Sequence, residues 1–423
     1  MKTVIVGGGA AGFFLAINLK EMCPQMDVII LEASKRLLAK VEISGGGRCN
    51  CTNSFEDVKD LQSVYPRGHR LLKRLFKQFD HRDAYQWFEH RGVKLTTQPD
   101  HCVFPQSQDS HTIINLFLSE TRRLGITIET GHKVISLDEL CGYDFIAVTT
   151  GGMNSHSFLL PPPNSTLLPP PSSQLPPPSS ILLPPSSILP PVPSLFTFNI
   201  EDPGLRDLMG TVVEATAMIP GTKMRASGPL LITHWGMSGP CILRLSSYAA
   251  RLLSESNYQQ PLAVNWTMRK EDEVQEQLAA LCRQHAQKQL TTIRPFDLPQ
   301  RLWNYLTEKA LAGRAHAPWG SLNKKELNRL TNTLLNDTYQ IVGRAPFKDE
   351  FVTCGGVSLS AVNPVTLECK TYPHLYFAGE VLDIDGVTGG FNFQAAWTTA
   401  YAVAVAIAAN ASTMPGGFPD SND

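Results

Sequence analysis

The stretch ISGGGRCNCTN, residues 43–53, crowds three glycines, an arginine, two cysteines and two asparagines together. Four kinds of chemistry use such residues: a metal site, a disulfide, a phosphate cradle and the floor of a cofactor pocket. The spacing suits neither of the first two. Structural zinc takes cysteine pairs two to four residues apart and a second pair elsewhere. Cys49 and Cys51 are separated by one residue, and the other seven cysteines (Cys23, Cys102, Cys141, Cys241, Cys282, Cys354 and Cys369) stand singly along the chain. In an extended loop, side chains one residue apart point to opposite faces, and a ring closed between them would be strained. No metal is expected, and both thiols are expected to be free.

A second glycine cluster lies at the start of the chain. GGGAAG (Gly7–Gly12) follows the apolar run KTVIV and precedes FFLAINLKEM, a helix-forming segment. DVIILE then ends on Glu32, 20 residues beyond the last glycine of the motif. Strand, glycine turn, helix, second strand and acid at that distance make a dinucleotide-binding fingerprint. Gly7 permits the tight turn, Gly9 lets the backbone approach a pyrophosphate, and Gly12 lets helix and strand pack closely. The helix N-terminus favours the anion. Glu32 would accept from a ribose hydroxyl, which fits an adenosine without a 2′-phosphate.

A third cluster comes near the C-terminus, where LYFAGE leads through Asp383 and Asp385 into TGGFNFQAA. It is again a glycine-rich helix start, suited to an electron-rich group. With one pyrophosphate already placed, this second helix can face an isoalloxazine ring, its N–H groups near Phe391 and Asn392 polarising the edge that gathers charge on reduction. The loop is therefore expected to control flavin electronics more than flavin binding. In THWGMSGP (233–240), His234 offers an acid or base. The competing reading makes Ser238 a helix cap, Pro240 a helix starter and His234 an ordinary loop residue.

These clusters need a scaffold. A chain of 423 residues makes two or three domains. Net charge is −1, which leaves no electrostatic footprint for nucleic acid or an anionic membrane. Odd-numbered, irregular cysteines suit a reducing compartment. A strand opens the chain with no signal peptide before it, and the Ala-rich run at 395–409 is short of the roughly 20 residues of a span. The protein is expected to be cytoplasmic and to act on a small molecule.

Helical patterns cover about 69–91 and 112–124, ITIETGHKVISL reads as a strand pair, and YDFIAVTTGG as a strand ending on Thr-Gly-Gly. Residues 159–193 hold 14 of the chain's 31 prolines, too dense for helix or ladder, so extended polyproline or a linker is expected. LFTFNI, GTVVEATAMI, GPLLITHWGMSGP and PLAVNWT read as a β-rich barrel or sandwich, and about 270–335 is helical. The expected fold is α/β: a Rossmann-like domain (1–190 and 355–410), an inserted β-rich, barrel-like domain (191–268 and 337–354) and a small helical domain (269–336).

Taken together, VIVGGGAAG, KVEISGGGRCNCTN, AVTTGG, LLITHWGMSGP and LYFAGEVLDIDGVTGGFNFQAAW resemble the family of NAD(P)/FAD-dependent oxidoreductases that includes aminoacetone oxidase and a bile-acid 3-dehydro-reductase flavoprotein. The resemblance implies FAD. It implies that Ser44, Gly45, Gly46 and Arg48 line the cofactor, Arg48 near the phosphates and Cys49 and Asn50 toward the flavin. Gly7, Gly9, Ala11, Gly12, Glu32, Ala33, Lys40, Val134, Thr150, Gly151, Gly379, Glu380, Asp383, Gly390, Phe391 and Asn392 would complete the site. His234, Asn50 and Cys49 are the candidates for catalysis. The chain departs from the family where only DELCG separates Leu137 from Tyr143, and in its Pro/Ser/Leu repeats. GG at 151, 355 and 389 makes no second fingerprint, so either NAD(P)H docks transiently or the substrate itself reduces FAD, as in an amine oxidase that uses oxygen. A flavin-binding redox sensor without turnover is the reading from another class.

Overall fold

The computed structural model describes residues 1–152, 187–345 and 352–414. The body of the Pro/Ser/Leu stretch, 153–186, lies outside them. The chain forms two compact units, residues 1–192 with 352–423, and residues 193–351.

The first unit opens with β1 (Lys2–Val6), α1 (Ala10–Met22) and β2 (Asp27–Glu32). It continues through α2 (Ala39–Gly47), β3 (Thr52–Asn53), α3 (His69–Leu75), α4 (His81–His90), β4 (Leu95–Thr97), β5 (Cys102–Pro105), α5 (His111–Arg123), β6 (Thr127–Thr130) and β7 (Phe145–Val148) to β8 (Ile188–Ser194). Val4, Ile5 and the whole of β7 are buried, the continuous apolar run of a parallel strand covered on both faces. β1 pairs in parallel with β2 on one side and with β7 on the other.

Three expectations change here. ITIETGHKVISL forms one strand, not two. Beyond Thr130 the Gly131 and His132 N–H groups donate to Ser34 O and Glu32 O, so that backbone closes onto the end of β2 instead of a ladder. KVEISGGG is helical, as α2, with a break in backbone angles at Ser44–Gly46. The last prolines of the proline-rich run lie inside β8, which pairs with a strand described below.

The second unit carries β9 (Phe198–Ile200), α6 (Pro203–Arg206), β10 (Val212–Met218), β11 (Arg225–Ile232), β12 (Gly236–Ser238), α7 (Gly239–Tyr248), α8 (Ala250–Glu255), β13 (Gln260–Asn265), α9 (Glu271–Gln284), α10 (Gln300–Leu311), α11 (Lys324–Leu335) and β14 (Asp337–Arg344). Six strands close into a barrel in the order β10-β11-β12-β9-β14-β13. Alternating burial along β10 turns Val213, Ala215 and Ala217 inward, the two-residue period of a strand. Helical and barrel residues share one apolar cluster that includes Leu230, Trp266, Leu278, Trp303 and Leu330. Asp337 at the start of β14 is buried, accepts from Trp266 Nε1 at 3.0 Å and pairs with Lys309 of α10 at 2.6 Å.

The chain then returns to the first unit as β15 (Val352–Val357), which pairs with β8, then β16 (Leu375–Phe377) and α12 (Phe391–Thr413). β16 adds in parallel to β7, giving the five-stranded order β16-β7-β1-β2-β6. The order reverses between β1 and β7, where open α/β sheets bind their ligands beyond the carboxyl ends of the strands.

Candidate functional site

Gly7, Gly8 and Gly9 leave β1 at that carboxyl edge. A Cβ on Gly12 would strike the Gly7 carbonyl, so this glycine is what lets α1 close on the turn. A Cβ on Gly9 would meet nothing within 4 Å. Gly9 caps α1 without a side-chain hydrogen bond, and the first-turn N–H groups of a helix have no partner within it. Glu32, at the end of β2, accepts from Gly8 N–H at 2.7 Å and Ser34 N–H at 2.8 Å. Ala33 is exposed beside it. Val134 is buried in the segment that follows β6.

At the ends of β7 and β16, Thr150 Oγ1 is buried with no hydrogen-bond partner. Glu380 accepts from Thr353 N–H at 2.8 Å and pairs with Lys40 at 2.6 Å, and Gly151 lies beside its carboxylate. Gly379 approaches Ala11, where an added Cβ would be 2.8 Å away. Asp383 accepts from Gly355 N–H at 3.1 Å.

The ISGGGRCNCTN segment packs against the loop that opens α12. Thr52 Oγ1 donates to Gln394 Oε1 at 2.6 Å, Asn53 Nδ2 to Gly389 O at 3.0 Å, and Trp397 Nε1 to Cys51 O at 2.8 Å. With its amide nitrogen toward the carbonyls of Thr52 and Val103, Asn50 accepts from Gly390 N–H at 3.1 Å. Ser44 donates to Val41 O, and Arg48 folds back to Gly45 O at 2.9 Å with its guanidinium 4.2 Å above the Phe104 ring. Cβ atoms on Gly46 and Gly47 would meet nothing within 4 Å.

Cys49 and Cys51 do not point apart. Cys49 has φ +59°, and that left-handed turn brings its sulfur to 3.9 Å from that of Cys51, both thiols free and buried. Burial first, then the hydrogen bond and charge of Cys49, hold the Cys51 thiol well above its usual range.

Asn392 hydrogen-bonds both N–H and C=O of Gly386, closing the loop on itself. Sequence reading missed what braces that loop from outside. Tyr65 donates to Phe391 O at 2.8 Å, and the buried Asp385 forms an ion pair with Arg67, 318 residues away. The local signal for both was weak, since the partners lie in segments with no pattern in common. His234 belongs to the second unit, its ring 4.7 Å from that of Trp235. There Ser238 occupies the N-cap of α7 without capping it through its side chain. Its hydroxyl is bonded to Thr197 Oγ1 at 2.7 Å.

Residues 1–160 match the model of the HI0933-like protein Rossmann domain, and residues 192–352 that of the HI0933-like protein barrel and H2TH domain. The chain belongs to the HI0933-like family. Relatives share its full span. A ribosomal RNA dihydrouridine synthase of Escherichia coli (strain K12) is 26% identical over 95% of this chain and 96% of that protein. A 3-dehydro-bile acid delta(4,6)-reductase of Clostridium scindens is 25% identical over 94% and 96%. Among solved structures, a 3-ketosteroid delta1-dehydrogenase from Sterolibacterium denitrificans is 12% identical with a TM-score of 0.45, over 96% of this chain and 99% of that one. No helix among the described residues of this HI0933-like chain is long and apolar enough to cross a membrane.

Proposed function

We propose that the first unit binds FAD and that the protein is an FAD-dependent oxidoreductase adding two hydrogens across a carbon–carbon double bond conjugated to a carbonyl. The observation that carries the cofactor is the meeting, at one sheet edge, of two glycine-rich helix starts and the 44–50 segment, with room left over Gly9, Gly46 and Gly47. The orphaned Thr150 hydroxyl marks the same edge as polar and short of a partner. Those features fit a dinucleotide. The names of two relatives support the choice of reaction. Dihydrouridine formation and reduction of a 3-oxo bile acid at its 4 and 6 double bonds both saturate an alkene that a carbonyl activates.

When bound, FAD supplies the hydride chemistry. The chain's own residues supply position. Gly9 leaves space for a pyrophosphate, and the first turn of α1 offers it N–H groups. Glu32 keeps acceptor capacity beyond its two backbone donors and receives a ribose hydroxyl. Asn50, braced on Gly390 N–H, ties the 44–50 segment to the start of α12, so both walls of the pocket keep one spacing. NAD(P)H is the reductant in this reading, visiting without a second dinucleotide fingerprint.

The protein should purify yellow with one FAD per chain, and FMN should not replace it. Under anaerobic conditions NADH or NADPH should bleach the flavin, and an enone should restore its colour while the saturated ketone does not. Bleaching by an amine, with reoxidation by oxygen, would favour the amine-oxidase alternative. A protein that takes up no FAD would end the reading.

A further inference from the structure

The mechanism proposed above uses neither thiol of the 44–53 segment, although their placement sets them apart. Seven of the nine cysteines stand singly along the chain. Cys49 and Cys51 lie with their sulfurs 3.9 Å apart, both free and wholly buried. A disulfide is about 2.0 Å long, so the sulfurs have about 2 Å left to close. An extended backbone would hold them on opposite faces, but Cys49 sits at φ +59° and turns its side chain back toward Cys51.

The two cysteines are held unequally. Cys51 is pinned on both sides, its N–H donating to Val103 O at 2.8 Å and its carbonyl accepting from Trp397 Nε1 at 2.8 Å. Cys49 follows Gly45, Gly46 and Gly47, all at positive φ, and Cβ atoms on the last two would meet nothing within 4 Å. Glycine adopts such angles without steric cost, so that run is a hinge. The Cys49 N–H bonds Ser44 O across it. Closing an S–S bond therefore draws Cys49 toward a fixed Cys51. Asn50, which ties this segment to Gly390 N–H, must shift with it.

We propose that Cys49 and Cys51 form a peroxide-sensitive pair that closes into a disulfide and displaces the 44–50 wall of the candidate site. The oxidant is hydrogen peroxide, a small neutral molecule that a reduced flavin yields with oxygen. The Cys49 thiolate attacks one peroxide oxygen, the O–O bond breaks, and the departing hydroxide takes up the thiol's proton as water. The sulfenic acid left on Cys49 condenses with the Cys51 thiol, forming the S–S bond and releasing a second water. Two thiols and one peroxide thus give one disulfide and two waters. Cys51 is the resolving partner, since burial holds its thiol well above the usual range and the thiolate is the attacking form. Closure needs no flavin. Only its effect on cofactor affinity rests on the reading of the first unit as an FAD site.

The test treats the full-length protein as purified with a small excess of hydrogen peroxide, quenches it with iodoacetamide in denaturant, and digests it with trypsin. Cys49 and Cys51 then fall together on the peptide 49–59, which carries no other cysteine. That peptide should emerge unalkylated and lighter by two hydrogens, and dithiothreitol should restore both alkylation sites. In Cys51→Ser the Cys49 sulfenic acid should persist and take up dimedone, whereas in Cys49→Ser the Cys51 thiol should stay reduced and alkylate in full. Closure should weaken FAD binding about tenfold, an ordinary size for coupling between two sites, while peroxide should leave the FAD affinity of Cys49→Ser where it was. The proposal is overturned if the wild-type peptide keeps both alkylatable thiols, or if either cysteine pairs instead with another such as Cys102. It is also overturned if closure leaves FAD affinity unchanged in a protein that binds it. A protein that closes the bond yet takes up no FAD would break the oxidoreductase reading and leave the thiol chemistry standing.

Discussion

At the mouth of α1 a side chain added to Gly9 would meet nothing within 4 Å, whereas one added to Gly390 at the mouth of α12 would drive into the Thr52 carbonyl. Both loops are strand, glycines, helix. Gly9 has extended backbone angles that any residue adopts, with φ −97°, so glycine there serves only the space beyond it. Gly390 has φ +87° and is pressed against its own protein. One loop leaves its glycine facing open space, and the other presses its glycine against the chain itself.

Gly390→Val tests the crowded loop and should have the largest effect. The strained backbone and the collision with Thr52 should together cost on the order of 4 kcal/mol. The sequence-based expectation is that this loop controls flavin electronics more than flavin binding; the contact with Thr52 adds a cost in stability. Denaturant unfolding checks it, and a loss under 1 kcal/mol would show that the loop can relax. Gly9→Val probes the open loop in the opposite sense. Stability without cofactor should fall by no more than about 1 kcal/mol, the cost of a poorer N-cap, while FAD affinity falls by two orders of magnitude or more. Equal FAD content in variant and wild type would make Gly9 a structural turn only.

Glu32→Ala sharpens the contrast, because Glu32 supports the open loop from within through Gly8 N–H. Removing a charged acceptor of two backbone donors should cost about 2 kcal/mol, divided between stability and FAD retention. Calorimetry and flavin titration on the same sample separate the two. The smallest effect concerns pH beneath the crowded loop. Cys51 has a raised pKa when folded, so as pH climbs past about 8.5 the unfolded chain loses this proton while the native one keeps it. The unfolded state then binds fewer protons, and stability falls by about 1 kcal/mol by pH 9.5. The raised Cys102 and Cys241 thiols add to the same slope, so Cys51→Ala should lessen it by about that amount, and an unaltered slope would place the titrating groups elsewhere.

What could be read from sequence follows from how local its cause is. The strand–turn–helix–strand unit at the start of the chain was readable because its glycines and Glu32 act within 32 residues, Gly12 against the Gly7 carbonyl and Glu32 on Gly8 N–H. The β-rich character of the second unit was readable in segments such as VVEATAM, set between glycines and prolines, although barrel and sandwich stayed open until the closed order of strands was seen. α2 was hidden because three consecutive glycines argue against the helix they end. The sulfurs of Cys49 and Cys51 were placed on opposite sides because an extended backbone was assumed, and one left-handed residue reverses that. The Arg67–Asp385 and Tyr65–Phe391 contacts join segments more than 300 residues apart and have no local periodicity to betray them.

The strand β8 has a consequence for how the protein survives its own synthesis. Three of its seven residues, Pro190, Pro191 and Pro193, lack an N–H, and it belongs to a sheet of only two strands among the described residues. A free strand edge is a template on which a neighbouring chain can add itself. Each proline leaves a gap in the row of donors that such a recruit would need. The ribbon formed by β8 and β15 is therefore poorly suited to growing by copying itself, and crowded nascent chains have one less place to begin a fibre.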